Sequence, residues 1–173
     1  ENILEIRDLV IEYHTDDADI YALNGINLDV KRGETIGLVG ETGAGKTTIA
    51  KAILRILQTP PAKICSGSIK FDGVELMDLP EKEMQKIRGN KIAMIFQDPM
   101  ASLNERAKID YIVSEGLLGR GLKKDEIAQR VNQALEAVGL LPEFASRFPH
   151  EFSGGQRQRI GIARALVMNP EFI

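Results

Sequence analysis

The first thirty residues alternate apolar and polar side chains. The alternation runs loosely from Ile3 to Tyr13 and resumes from Ile20 to Val30 after a polar break at His14–Asp19. A period of two is typical of strands that bury one face. We therefore predict two strands of antiparallel type here, and a short hairpin over Ser68–Met77 that turns at Asp72-Gly73.

Short continuous apolar runs predict strands of a second kind. Thr35–Val39 is bounded by glycine, and Lys91–Phe96 has a similar character. Such runs are typical of parallel strands that are buried on both faces. Phe172–Ile173 resembles the opening of another such strand, and the chain begins without Met. We expect from these two features that both ends are cut.

Apolar residues at intervals of three and four predict helices in the remaining segments. The predicted helices are Lys46–Leu57, Pro80–Arg88, Arg106–Leu118, Asp125–Val138 and Gly155–Met168. Arg106–Leu118 and Asp125–Val138 follow Gln97 in succession, so residues 98–150 are expected to form a helical lobe.

A glycine-rich loop joins the strand predicted at Thr35–Val39 to the first helix. Gly40–Thr47 fits the pattern G-x-x-x-x-G-K-[ST], and its strand and helix flanks favour a phosphate-binding loop over a glycine-rich turn with one lysine. Glycine permits left-handed backbone, which turns successive N–H groups inward around an anion. Lys46 would contact the β- and γ-phosphates, Thr47 would ligate Mg²⁺, and Thr48 would reach another phosphate oxygen. The candidate nucleotide-binding residues of this segment are Gly40, Glu41, Thr42, Gly43, Ala44, Gly45, Lys46, Thr47 and Thr48.

A second candidate anion site precedes the last predicted helix, at Phe152-Ser153-Gly154-Gly155-Gln156. Ser153 can cap that helix and offer its hydroxyl to phosphate, and the two glycines permit close approach of another backbone. Taken alone, Ser153 could be an ordinary helix cap.

Three features in this order resemble the ATP-binding cassette family over essentially all 173 residues. They are the phosphate loop, Gln97 after an apolar strand, and Ser153–Gln156. The resemblance implies an α/β P-loop NTPase core with an N-terminal antiparallel β subdomain, an inserted helical subdomain and an incomplete parallel sheet. The implied division is 1–97 for the nucleotide-binding β subdomain and loop core, 98–150 for the helical subdomain, and 151–173 for the signature segment, its helix and the start of the next core strand.

The resemblance also implies roles for single residues. Lys46 and Gln97 would be catalytic, and Gln97 would ligate Mg²⁺ or the attacking water. Tyr13 matches the aromatic residue that stacks on adenine, with Tyr21 as the competing candidate. Ser153, Gly154, Gly155 and Gln156 would act in trans, closing over the γ-phosphate of ATP held by Lys46 of a second subunit. The implied cofactors are ATP and Mg²⁺.

Two further segments narrow the resemblance to one branch of the family. Asp98–Asn104 and Phe148–Glu151 resemble the oligopeptide, dipeptide and nickel permease ATPases, although Glu105 stands where proline is expected. The implied function is the ATP-binding subunit of an importer of oligopeptides or dipeptides. Its implied partners are a second ATPase subunit in a head-to-tail homo- or heterodimer, membrane permease subunits docked near Gln97–Ser114, and indirectly a substrate-binding protein.

The general-base Glu and the switch His of this family would lie beyond Ile173. We therefore expect that the intact protein hydrolyses ATP and that the 173-residue piece does not. We also expect the phosphate-loop strand to have an unpaired apolar edge, which would make the piece marginally stable or prone to aggregation.

Composition limits the remaining alternatives. A net charge of -3 gives no basic surface for nucleic acid, and the single cysteine, Cys65, cannot form an internal disulfide. Apolar runs are shorter than the roughly 18–20 residues that cross a bilayer, so any membrane connection is expected to go through another protein. The single cysteine fits a reducing cytoplasm, and the resemblance implies a peripheral position on the inner face of the cell membrane. A soluble cassette ATPase of repair or translation and a non-hydrolysing fragment remain as alternatives.

Two other segments carry no separate function. Asn90–Ala93 lacks the aspartate of a guanine-binding motif, and we expect Arg157, Arg159 and Arg164 to be solvated or paired.

Overall fold

The first strands form a four-stranded antiparallel sheet in the computed structural model, which describes residues 1–97 and 103–173. The strands are β1 (Asn2–His14), β2 (Asp19–Lys31), β3 (Ala62–Phe71) and β4 (Val74–Glu75), in the spatial order β2-β1-β3-β4. The two strands predicted by alternation are confirmed. The predicted hairpin turns where expected, but β3 begins at Ala62 because it pairs with β1 as far as Tyr13.

The alternation in β1 is loose because the strand is irregular. Its register shifts between Ile6 and Leu9, where Asp8 has a φ of 46°. Gly67 of β3 passes so close to this bulge that an added Cβ would lie 2.5 Å from the Leu9 Cα. A side chain cannot fit at this distance, so glycine is required here. On the buried face Leu4, Ile6, Leu9, Ile11 and Ile69 are fully covered.

The predicted buried strand at Thr35–Val39 is wrong for the described structure. No described residue pairs with this run, and Val39 is 98% exposed. An apolar run forms a buried strand only when neighbouring strands and both sheet faces are supplied. This run is therefore an exposed segment without regular secondary structure that leads into the phosphate loop.

The helix after this loop, α1 (Lys46–Ile53), is shorter than the predicted Lys46–Leu57. Arg55 takes a left-handed φ of 54° and directs its Nη1 to the carbonyl oxygens of Leu76 and Leu79, at 3.0 and 2.5 Å. These long-range bonds favour a turn where the local spacing favours helix. The next helix, α2 (Glu81–Ile87), follows Pro80 as predicted and buries Met84.

The chain divides into two compact units, Glu1–Gln85 and Lys86–Ile173. The predicted division into 1–97, 98–150 and 151–173 stays a prediction. The helices of the second unit are α3 (Ile109–Ser114), α4 (Lys124–Ala137) and α5 (Gly154–Leu166), with short 3-10 turns at Glu115–Leu117, Pro142–Ser146 and Pro149–Glu151. The three predicted helices are confirmed, although the first is split between α3 and a 3-10 turn.

The core of the second unit joins these three helices. Val131 and Leu135 of α4 are buried and Ile127 and Val138 pack against the same core, which confirms the apolar face predicted for this helix. The other buried residues are Leu103, Ile109, Ile112, Val113, Leu117, Ala134, Leu140, Phe152, Ile160, Ala163 and Val167. In the described ranges, no helix is long and apolar enough to cross a membrane.

The predicted strand at Lys91–Phe96 is reduced to isolated bridges. Ile92 forms parallel bridges with Arg88 and with Phe172, and it is buried. Phe96 is exposed, and no described strand continues the pairing. The strand predicted to open at Phe172 is likewise limited to its bridge with Ile92.

Candidate functional site

The phosphate loop, Gly40–Thr47, has the backbone of an anion nest. Gly43 and Gly45 take φ values of 86° and 96°, and the Ala44 amide donates to the Glu41 carbonyl at 3.0 Å. Left-handed residues alternating with right-handed ones turn neighbouring N–H groups to one side of the chain. The loop is thus shaped to surround a group that accepts several hydrogen bonds.

Packing fixes the position of the loop at Gly45. A Cβ added there would lie 2.8 Å from the Leu23 Cδ2 and 2.9 Å from the Ala22 carbonyl oxygen, both in β2. At Gly43 an added Cβ would meet no described atom within 4 Å. The glycine at position 45 is therefore required by both backbone conformation and space, and the one at position 43 by conformation alone.

Helix α1 begins inside the loop with its N-terminal amides free for a ligand. Its N-cap is Gly45, which has no side chain to cap it, and its first turn contains no acidic residue. The first amides of a helix have no intrahelical acceptor and carry the positive end of the helix dipole. Lys46 adds a cation, and its Nζ donates to the Gly40 carbonyl across the loop. This arrangement favours an anion such as a phosphate group.

The two tyrosines lie on opposite faces of the sheet. The Tyr13 hydroxyl lies 3.5 Å from the Thr48 Oγ1, so Tyr13 is next to the helix that carries the loop. Tyr21 pairs with Glu12 in the register of β1 and β2, and cross-strand partners share a face. Glu12 and Tyr13 are neighbours and point to opposite faces. The geometry therefore favours Tyr13 over Tyr21 as an aromatic contact near the loop.

Tyr21 has its own interaction on the other face. Its exposed hydroxyl hydrogen-bonds to Glu12, and this bond, with the negative charge of the carboxylate, raises the pKa of Tyr21 above its ordinary value. The effect is that of a carboxylate that stabilises the neutral phenol.

The signature segment, Ser153–Gln156, begins α5 with a complete capping box. The Gln156 amide donates to the Ser153 Oγ at 3.3 Å, and the Ser153 amide donates to the Gln156 Oε1 at 3.0 Å. The predicted cap is thus confirmed, with the helix starting at Gly154. Just before it, the Phe148 amide donates to the Glu151 Oε2 at 2.7 Å, which orders the segment leading into the helix.

Within the described ranges, no neighbouring atom or backbone conformation requires glycine at positions 154 and 155. An added Cβ at either would meet no described atom within 4 Å, and neither residue has a positive φ. A glycine without an internal reason is expected where another molecule approaches the backbone closely. This observation supports the predicted use of the segment by a partner.

The structure places the remaining predicted residues in the second unit. Gln97 is exposed at the end of the run from Lys91. Residues 98–102, which carry most of the peptide-permease-like segment, lie outside the described residues. The phosphate loop and Tyr13 belong to the first unit, and Gln97 and Ser153–Gln156 to the second.

Two features were not predicted from the sequence. An open groove of about 380 Å³ lies between α3 and α4, and Tyr111 and Leu118 line it with exposed apolar surface. The signal in the sequence was a pair of large apolar residues that the core does not use. The second feature is the partner of Arg157, which was expected to be solvated or paired: it forms an ion pair with Glu105, 52 positions away.

Comparisons with known proteins agree with these observations. A family model described as ABC transporter matches residues 23–173. The oligopeptide transport ATP-binding protein OppF of Streptococcus pyogenes serotype M1 is 49% identical over 175 aligned residues, which cover 100% of this chain and 55% of the relative. The oligopeptide transport ATP-binding protein OppD of Bacillus subtilis strain 168 is 42% identical over 174 residues, which cover 99% of this chain and 49% of the relative. This chain spans about half the length of these relatives.

Solved structures share the fold. The ATP-binding cassette MJ0796, a dimer in a post-hydrolysis state bound to ADP and Pi, matches with a TM-score of 0.82 and 30% identity over 96% of this chain and 70% of that one. The protein cbiO1 of Clostridium perfringens, part of the ABC transporter complex cbiONQ, matches with a TM-score of 0.79 and 33% identity over 98% of this chain and 63% of that one. The predicted fold class, an α/β P-loop NTPase with an antiparallel N-terminal sheet, is confirmed.

Proposed function

Because this chain belongs to the ABC transporter family, we propose that it is the ATP-binding part of a subunit that powers oligopeptide or dipeptide import. The observation that carries the proposal is the phosphate loop, Gly40–Thr47, with its left-handed glycines and its helix start without a side-chain cap. Two relatives are named as oligopeptide transport ATP-binding proteins, and a similar cassette was solved with ADP and Pi. These names support the choice of ATP and of peptides for the whole protein.

The residues of the first unit would bind the nucleotide. Loop amides would donate to phosphate oxygens, and Lys46 would exchange the Gly40 carbonyl for the β- and γ-phosphates. Thr48 would donate to another phosphate oxygen. The ring of Tyr13, held beside Thr48, would stack on adenine.

Thr47 and Gln97 would hold Mg²⁺. Both residues are exposed and offer neutral oxygen ligands, the class that this cation takes, so their chemistry fits the ion. The ion would neutralise phosphate charge during phosphoryl transfer. Thr47 belongs to the first unit and Gln97 to the second. Gln97 would also orient the attacking water.

The signature segment would complete the site of a second subunit. Ser153 presents its hydroxyl at the start of α5, and the open surface at Gly154 and Gly155 leaves room for a phosphate and the opposing loop. Gln156 would keep Ser153 in position through the capping box. The dimeric state of the solved cassette supports pairing of two such subunits. The head-to-tail arrangement of two identical or different subunits is part of the proposal.

The groove between α3 and α4 would dock a membrane permease subunit. It overlaps the predicted docking segment Gln97–Ser114 through Asp110, Tyr111 and Ser114, and its lining is mainly apolar. Apolar grooves with polar margins are typical of protein interaction sites. The substrate-binding protein would act through the permease subunits, and the subunit would lie at the inner face of the membrane.

The test of nucleotide binding is a lysine substitution in the full-length protein. Lys46→Ala should weaken binding of labelled ATP about 10- to 100-fold, because a hydrogen bond between charged groups is lost. Lys51→Ala removes a lysine near the other end of α1 and should leave binding unchanged. Equal losses in both variants, or none in Lys46→Ala, would contradict the proposal.

The test of permease docking places charge in the groove. Leu118→Arg should reduce co-purification of the full-length subunit with its permease and leave ATP binding intact. Leu141→Arg, at an exposed leucine that does not line the groove, is the control. Unchanged assembly of Leu118→Arg would remove this groove from the interface.

The alternative function, a soluble cassette ATPase of repair or translation, has no comparable support. The reported relatives are named for oligopeptide transport, and none of these names refers to repair or translation. The net charge of -3 supplies no basic surface for nucleic acid.

A further inference from the structure

Arg157, the first residue after the signature segment, is largely covered in the second unit. Its side chain is 21% exposed, and its Nη2 forms an ion pair with the Oε1 of Glu105. The Glu105 side chain is 50% exposed. The pair therefore links the turn before α3 to the first turn of α5.

The Arg157 guanidinium depends strongly on this one carboxylate. Its Nε is buried and has no hydrogen-bond partner in the described part of the chain. A covered cation with an unsatisfied N–H is unfavourable unless another group compensates for the lost water. Without the Glu105 carboxylate, we expect the side chain to leave this position for solvent.

A shift of Arg157 would reach the signature segment directly. The Arg157 amide donates to the Ser153 carbonyl at 2.9 Å, within the turn that contains the capping box. The Ser153 hydroxyl oxygen already accepts a hydrogen bond from the Gln156 amide. The direction of this hydroxyl therefore depends on the geometry of the turn. Moving the Arg157 side chain therefore changes the packing of the turn that aims Ser153.

Glu105 is well placed to act as a fixed anchor. Asn104 closes a tight turn around it, because its Oδ1 accepts from the Arg106 amide at 3.0 Å and its carbonyl accepts from the Ala107 amide at 3.2 Å. Leu103 is buried in the core of the unit. Glutamate stands here in place of the proline expected from the resemblance, and a proline side chain could not accept a hydrogen bond from arginine.

We propose that Glu105 is a positioning residue that, through Arg157, holds Ser153 in the orientation needed to receive the phosphate of a second subunit. This inference rests on the proposed function. Glu105 contacts neither the nucleotide nor the reacting atoms in this scheme. Its effect is on closure of the shared site, and nucleotide binding at the phosphate loop of the same chain is independent of it.

The experiment uses the full-length subunit assembled with its permease and measures the ATP hydrolysis rate against ATP concentration. Glu105→Gln should lower kcat about tenfold, with KM changed less than about twofold, because the loss appears when the site closes. Arg157→Gln should have a similar effect. The double variant should be no worse than either single variant, because both remove one interaction. Glu136→Gln, at an exposed glutamate of α4, should have no effect.

Glu105→Asp provides the rescue. It keeps the carboxylate and should recover most of the lost kcat, at a melting temperature equal to that of the unmodified protein. If Glu105→Gln fails to fold, Arg157→Gln takes its place: a reduced kcat in a normally melting Arg157→Gln protein supports the proposal, and an unchanged kcat overturns it.

Three other results would also overturn the proposal: unchanged kcat in Glu105→Gln, multiplicative losses in the double variant, and equal losses in Glu105→Asp and a folded Glu105→Gln. Failure of the proposed function is distinct from these results. It would appear in the unmodified protein as an absence of ATP binding or of Lys46-dependent hydrolysis, before any variant is compared.

Discussion

Substituting alanine for two glycines of the phosphate loop tests whether packing against β2 holds the loop in place. Gly43→Ala and Gly45→Ala both force a side chain into the left-handed region, at φ values of 86° and 96°. An L-residue costs about 1–2 kcal/mol there. Alanine also lowers the conformational entropy of the unfolded chain, which raises the free energy of unfolding by about 0.4–1 kcal/mol. Strain alone therefore predicts a net loss of about 1 kcal/mol in each variant.

Only Gly45→Ala adds a collision among the described atoms. Its Cβ would lie 2.9 Å from the backbone oxygen of Ala22 and 2.8 Å from the Cδ2 of Leu23, which is itself buried. At Gly43 the same atom meets no described atom within 4 Å. Overpacking costs about 1–3 kcal/mol. We expect Gly45→Ala to lose about 2–4 kcal/mol and Gly43→Ala about 1 kcal/mol.

The assay is urea unfolding of the full-length protein without nucleotide, followed by circular dichroism. The midpoint should fall further for Gly45→Ala than for Gly43→Ala, with an unchanged slope in both. Equal losses would show that backbone strain alone matters at position 45. A greater loss for Gly43→Ala would refute the packing argument.

Three more predictions concern the caps and the tyrosines. Ser153→Ala should lower the free energy of unfolding by about 1 kcal/mol because the cap of α5 is lost, and Gln156→Ala should lower it by a smaller amount; thermal unfolding measures both. Tyr13→Ala should weaken binding of labelled ATP about two- to tenfold, whereas Tyr13→Phe and Tyr21→Ala should leave it unchanged. A greater loss of binding in Tyr21→Ala than in Tyr13→Ala would contradict the adenine assignment. Glu12→Gln should lower the pKa of Tyr21 in a phenolate absorbance titration. Because folding raises the pKa of Tyr21, the hydrogen bond to Glu12 stabilises the folded state at pH values below the ordinary tyrosine pKa. This stabilisation is lost as the pH rises through the raised pKa.

Elements whose stability depends on local pattern were predicted well. The strands β1 and β2 are neighbours in the chain and supply each other's hydrogen bonds, so their alternation was sufficient. Helix α4 has both a clear apolar face and acidic residues in its first turn. Its predicted start was within one residue of the observed one.

Elements that depend on distant residues were predicted poorly. Thr35–Val39 has the composition of a buried strand, but a strand also needs a neighbour, and no described residue supplies one. The early end of α1 follows from the bonds of Arg55 to Leu76 and Leu79, which spacing within the helix cannot reveal. The start of β3 is set by pairing with β1.

The same distinction holds for the candidate site. The phosphate loop and the capping box are built from consecutive residues, so their motifs were recognisable in the sequence. The pairing of Glu105 with Arg157 joins residues 52 positions apart. The sequence singled out Glu105 as a departure from the expected pattern, and the structure supplied its partner.

The two proposed phosphate contacts share one physical design. Each is the start of a helix, α1 at Lys46 and α5 at Gly154, and each start carries the positive end of a helix dipole. Each also has an internal hydrogen bond, from Lys46 to the Gly40 carbonyl in one case and within the capping box in the other. Two such positive ends repel one another when they are brought together in a head-to-tail dimer, and the phosphates of ATP remove that repulsion. In the proposed dimer, the nucleotide is therefore part of the interface, and its hydrolysis weakens the attraction that holds the two subunits together.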